Sequence, residues 1–293
     1  MIDLTLPLII LLVALGTGVL SALVGVGGGF IMVSFMLAYM GLRTQTAVGT
    51  SAFVIIFSAI SASVAYFRQK RIDYRIGIIA ASLSVPAAIL GGYATNFIAS
   101  SQLALLFAIA LLIVGIKMVF FPREKSKDVG PRDEKKAIPA DRSRRKSSAT
   151  RDYSGHRLRT EIIDAMGHKF VYYSKVLPAL PFFFLAGFLS GLFGIGGGIV
   201  IVPALQIIAG LPLHLAVATS MFTMIFTSTS SGMTHILLGN VMYDYALFLI
   251  IGIVVGAQVG ARVAKRLKSS ALERVFGITM LLIAVYLLFT KVL

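Results

Sequence analysis

Residues 18–29 read GVLSALVGVGGG and residues 187–198 read GFLSGLFGIGGG. Sliding the chain so that position 18 falls on position 187 keeps one register, with no insertion, until position 120 falls on position 289. About 30 of these roughly 103 aligned positions are identical. They include AVGTSAFVIIF (47–57) on AVATSMFTMIF (216–226), Tyr74 on Tyr243, Gly91 on Gly260, and Ser100-Ser101 on Ser269-Ser270. Shared hydrophobicity does not hold one register through glycines and hydroxyl pairs, so the chain is an internal duplication.

Each copy holds the same apolar units. A long run split by glycines (4–39 and 177–209) precedes three runs of membrane-spanning length, at about 44–67, 76–97 and 102–121, then 213–238, 245–265 and 271–290. About 20 apolar residues suffice to cross the hydrocarbon core. The 293 residues are 57% hydrophobic and 13% charged, with a mean hydropathy of +0.90. Soluble domains run at roughly 45–50% and 25%, and a soluble fold of this size cannot hide the excess. The reading is an all-α integral membrane protein. The apolar N-terminal run lacks a basic start and a small-residue cleavage site, so it reads as a membrane segment rather than a removed signal peptide.

Charge divides the chain. Of 39 charged residues, 23 lie in 122–176. This gives a first transmembrane repeat (1–121), a basic hydrophilic linker (122–176) and a second repeat (177–293). The linker's proline-broken first part is expected to be disordered, and 156–175 to form an amphipathic helix on the membrane surface. About seven of the net +15 charges sit in this segment, an excess typical of cytoplasmic loops, so nucleic acid is not an expected partner. The loop FRQKRIDYR (67–75) is basic while its mate ILLGNVMYD (236–244) has no cation; TNFIASSQ (95–102) is neutral while ARVAKRLKSSALER (261–274) is strongly basic. By the positive-inside rule, matching loops lie on opposite sides of the membrane. The predicted architecture is therefore two inverted repeats, each a glycine-broken helical hairpin plus three transmembrane helices. The linker is then cytoplasmic and both termini lie outside.

The glycine clusters carry the functional expectation. Each glycine costs about 1 kcal/mol against alanine in a helix, so Gly27-Gly28-Gly29 and Gly196-Gly197-Gly198 favour breaks. Broken backbone is tolerated in the membrane only where it faces protein or a cavity. Helix starts at two opposed breaks would aim amides and positive dipole ends at one midplane anion site. The alternative is close helix packing through glycine. Thr50-Ser51 and Thr219-Ser220 stand at matching places as candidate lining, against the alternative of bonding to their own helix. His235, towards the far end of the run 213–238, is a candidate for substrate contact or proton transfer, against the alternative of a structural histidine. Gln258, deep in a span, wants partners, which makes it a candidate for substrate contact, against the alternative of bonding helix to helix. No Asp or Glu falls in mid-membrane, which favours anions over cations. With no Cys, no paired intramembrane carboxylates and no histidine cluster, no catalytic residue, metal or cofactor is expected.

GLFGIGGGIVIVPAL, AVATSMF, THILLGN and GAQVGAR together resemble the TauE/SafE family of sulfite-exporter-like transporters. The resemblance covers roughly 16–120 and 181–290. It implies an inner-membrane carrier of small sulfur-containing anions (sulfite, sulfonates or sulfoacetate), with the glycine hairpins and Thr-Ser pairs around the route. Two departures stand out: Ser34 occupies the place of Pro203, and the basic linker is long. The function expected is secondary transport by alternating access, with an anion channel of the same pore chemistry as the alternative. Expected partners are a small anion and the lipid bilayer, with a homodimer left open.

Overall fold

The computed structural model describes residues 5–120, 158–167, 169–264 and a few positions between 278 and 289. The linker's first part and most of the last predicted span, 271–290, lie outside the described residues.

The first half forms α1 (Thr5–Val24), α2 (Gly29–Ala38), α3 (Thr44–Arg68), α4 (Tyr74–Thr95) and α5 (Ser100–Phe120). The second forms α6 (Leu180–Phe193), α7 (Gly198–Pro203), α8 (Leu213–Leu237) and α9 (Ala246–Ala264). Four helices, Leu6–Val24, Thr44–Arg68, Tyr74–Thr95 and Ala246–Ala264, are long and apolar enough to cross a membrane. The 25 residues of α8 are long enough as well, at about 1.5 Å per residue, but hydroxyls dilute its hydropathy. These hydroxyls point inward: Thr219, Ser220, Thr223, Thr227, Ser228 and Ser231 are fully buried, while Leu8 and Leu12 on α1 and Ile251 and Val255 on α9 are exposed. Apolar residues outside and hydroxyls inside suit a lipid solvent.

Both glycine clusters break the helices, as expected. Gly25, Gly27 and Gly28, and likewise Gly194, Gly196 and Gly197, all have positive φ, a conformation that costs any other L-residue about 1–2 kcal/mol. A ten-residue helix, α2, is about 15 Å long, half a hydrocarbon core. The Ser34/Pro203 difference has a local consequence. Pro203 has no N–H to donate back into its helix, and α7 passes into a π turn at Ala204–Ile208. Ser34 lets α2 continue regularly, its hydroxyl donating to the Phe30 carbonyl at 2.7 Å.

The equivalent helices α3 and α8 run antiparallel. Gly49 lies against Asn240, Gly232 against Phe53 and Ile56, and Ile55 and Met224 meet beside Gly27 and Gly196. Two other pairs are built on small residues. The glycine row of α9 (Gly252, Gly256, Gly260) packs backbone to backbone along α1 at Leu11, Leu15 and Val19. In the mate of this interface, Gly187 and Gly191 of α6 and Gly91 of α4 meet Ser84, Ala88 and Phe188. Such close approach is how helices associate where lipid removes the hydrophobic drive.

The linker's later part overturns one expectation. Instead of an amphipathic helix, it forms an antiparallel hairpin of β1 (Leu158–Ile163) and β2 (Lys169–Ser174). Its strands are rich in Ile, Val, Phe and Tyr, which fit a pleated surface, and Gly167 takes positive φ in the turn. The hairpin docks on the loop after α3. Arg71 pairs with Asp164 at 2.8 Å, both side chains nearly sealed from solvent, and the Ala165 amide donates to the Gln69 carbonyl at 3.0 Å.

Candidate functional site

The two glycine turns cross at the centre of the molecule. A methyl group added at Gly29 would overlap the Gly194 carbonyl, and one added at Gly198 would overlap the Gly25 carbonyl. Those carbonyls are capped from the opposite half: Ser51 Oγ donates to Gly194 O at 2.8 Å, and Ser220 Oγ donates to Gly25 O at 2.8 Å. Ser51 also reaches Gly29 O at 3.3 Å. Among the described residues, the amides of Gly27, Gly28, Gly196 and Gly197 donate to no protein acceptor, although all four residues are buried.

The threonines of the two pairs hold the far ends. Thr219 Oγ1 accepts from the Asp73 amide at 3.0 Å, and Thr50 Oγ1 accepts from the Met242 amide at 2.9 Å. Asp73 and Met242 are themselves equivalent positions of the repeat. Asp73 also caps α4 by accepting from the Arg75 and Ile76 amides. So Thr50, Ser51, Thr219 and Ser220, all fully buried, tie one half to the other.

His235 is fully buried, its Nε2 bonded to the Gly191 carbonyl at 2.9 Å, with Asn240 Nδ2 3.4 Å from Nδ1. Its repeat mate Tyr66 bonds the matching carbonyl, that of Ala22. Gln258 stands apart from the crossing. It donates to the Ser61 carbonyl at 2.6 Å and lines a cavity of about 310 Å³ at the ends of α3 and α9, beside the docked hairpin. The structure thus gathers the two glycine clusters and both Thr-Ser pairs, and leaves Gln258 outside that group.

Thr17, Ser190, Ile55 and Met224 at the crossing were not singled out from the sequence, whereas Ser228 belongs to the hydroxyl-rich run that continues from Thr219-Ser220. The hydroxyls of Thr17, Ser190 and Ser228 are buried without a partner. Thr17 and Ser21 touch the Gly28 position, and Ser228 faces Gly196. Ser21 and Ser190 are identical across the repeat, and that was the available signal. Ile55 and Met224 fill the space between the turns, with Met224 Sδ 3.0 Å from a methyl position at either Gly27 or Gly196. In this conformation the crossing is closed.

On the linker side, the Tyr172 hydroxyl donates to Asp73 Oδ2. Burial, and then this bond to the Asp73 carboxylate, push the phenol well above the usual tyrosine range.

A broken, hydroxyl-lined helical core with a lipid-facing exterior is the build of a multi-pass membrane transporter. The family model for the sulfite exporter TauE/SafE matches residues 10–287, and the chain belongs to that family of membrane transporters. It is 29% identical to the probable membrane transporter protein YunE of Bacillus subtilis over 96% of this chain and 97% of that one. It is 29% identical to a probable membrane transporter protein of Methanocaldococcus jannaschii over 83% and 76%. A sulfite exporter TauE/SafE family protein 6 of Arabidopsis thaliana is 50% identical over 56 residues, 19% of this chain and 13% of that one. No solved structure matches.

Proposed function

We propose that this transporter carries a small sulfur-containing anion of the sulfite, sulfonate or sulfoacetate type by alternating access at the crossed glycine turns. The observation that carries the reading is the set of buried amides at Gly27, Gly28, Gly196 and Gly197, donors with no protein acceptor. Buried amides of this kind are rare and suit an anion. The hydroxyls of Thr17, Ser190 and Ser228 add donors without adding negative charge. Opening requires Ile55 and Met224 to leave the space between the turns. The two halves are inverted across the bilayer, a reading supported by antiparallel α3 and α8 and by opposite charge on matching loops. The basic loop at 67–75 then faces the cytoplasm of the inner membrane together with the linker, and both termini face outward.

The test is flux in proteoliposomes with sulfite, sulfate, thiosulfate, taurine and sulfoacetate, alongside thermal stabilisation by each. Saturable flux that exchanges against internal anion, for at least one sulfur anion, is the expected result. Large unitary conductance would make the protein a channel, and no flux or stabilisation with any of the five would sink the substrate class.

A further inference from the structure

The cavity at the ends of α3 and α9 is lined by Arg68, Arg71, Arg262, Gln69 and Gln258 from the membrane domain and by Asp164 from the hairpin turn. Three guanidinium groups face one carboxylate. Arg68 and Arg262 are exposed, and among the described residues neither is paired with an acid. Arg71 is the buried one. Its Nε and Nη2 both donate to Asp164 Oδ2, at 3.2 and 2.8 Å, so two charge-assisted hydrogen bonds converge on one carboxylate oxygen. The two glutamine side chains are fixed by backbone carbonyls, Gln258 on Ser61 at 2.6 Å and Gln69 on Ala261 at 2.9 Å, so the wall is preorganised rather than a loose fringe of snorkelling cations. The hairpin turn that carries Asp164 meets the membrane domain through the Ala165 amide on the Gln69 carbonyl, and the Met166 amide donates to Asp164 Oδ1 at 2.8 Å within the turn.

We propose that this cavity is a second anion site, selective for a small oxyanion head of the sulfate, sulfite or phosphate kind, and that Asp164 is its built-in competitor. An incoming oxyanion takes the place of the Asp164 carboxylate on Arg71 and completes its shell with Arg68 and Arg262, releasing the hairpin turn. The proposal goes beyond the transport reading and is measured at equilibrium without flux. Loss of transport with binding intact sinks only that reading, and loss of this binding with transport intact sinks only this one.

The test is titration calorimetry of the purified full-length protein with sulfate and with inorganic phosphate, at constant ionic strength in chloride. Asp164→Asn is expected to tighten binding at least tenfold. The double variant Arg68→Gln/Arg262→Gln, whose side chains are exposed, is expected to weaken it at least tenfold. The same three proteins in nanodiscs of phosphatidylglycerol against phosphatidylcholine separate a lipid headgroup from a soluble oxyanion as the source. A dependence on Asp164 that emerges only with the anionic lipid supports the site with the lipid as its ligand. Equal affinity of the Asp164→Asn and parent proteins in both arms, or a double variant that binds as tightly as the parent, overturns the proposal.

Discussion

Replacing Gly29 or Gly198 with alanine tests the crossing directly. Both residues begin helices with ordinary helical backbone, so alanine brings no φ strain and only its methyl group matters. At Gly29 that methyl would lie 2.6 Å from Ile195 Cα and 2.6 Å from Ile55 Cδ1; at Gly198 it would lie 2.5 Å from Val26 Cα and 2.8 Å from Val26 C. Ordinary carbon contacts are about 3.5–4.0 Å, so about 1 Å of movement is needed. The obstructing atoms are mainly backbone of the other half, which cannot rotate away. Overpacking a filled core costs typically about 1–3 kcal/mol, and a backbone obstacle places each variant at about 3 kcal/mol. With an unfolding entropy of about 2.1 cal/mol/K per residue over 293 residues, that is a loss of about 5 °C in Tm. Gly16→Ala is the control. It lies in α1 with nothing within 4 Å of the new methyl, and gains up to about 1 kcal/mol of helix propensity. The assay is the melting temperature of purified protein in one detergent. Gly29→Ala and Gly198→Ala melting with the parent, or Gly16→Ala falling as far as they do, would refute the crossed packing.

Ser51→Ala and Ser220→Ala each strand a buried glycine carbonyl of the other half, at about 1–3 kcal/mol; near-equal losses of Tm are expected, and a loss from only one would break the equivalence of the halves. Asp164→Asn removes the partner of a buried guanidinium, a change that costs about 3–5 kcal/mol where the charge stays sealed. Because the hairpin can lift and rehydrate Arg71, the expected readout is faster protease cleavage between 158 and 174, with the membrane domain's Tm unchanged. For Tyr172, the docked phenol stays protonated above the pH, near 10.0, at which a released one ionises. The phenol's own contribution to docking is therefore flat with pH below about 10 and is lost as pH rises further. Tyr172→Phe loses about 1 kcal/mol of docking and this added alkaline sensitivity, and an identical protease profile at pH 10.5 for both proteins would contradict the assignment. His235→Ala strands the Gly191 carbonyl and should cost about 1–3 kcal/mol of stability, read as a lower Tm beside flux per folded molecule.

The helices were legible because their causes are local. Apolar runs with polar ends placed α3 at 44–67 against Thr44–Arg68 and α8 at 213–238 against Leu213–Leu237, and tandem glycines placed the breaks. The duplication located the Thr-Ser pairs. What those hydroxyls bond to depends on which half supplies the carbonyl, a tertiary fact that one sequence does not hold. The hairpin was misread because LRTEII and KFVYYS mix basic and apolar residues as an interfacial helix does. Their length of six residues each, their β-branched and aromatic content and the glycine in the turn between them were the strand signals. Arg71 and Asp164 lie 93 positions apart, across the basic linker, and no spacing rule joins them.

The serine bridges make the halves interdependent. Each half lends its hydroxyl to its sibling's loop, so the first half made alone would leave the Gly25 oxygen without the Ser220 hydroxyl that caps it. The two loops are therefore completed only as a pair, and neither half carries within itself every hydrogen bond that its own turn needs.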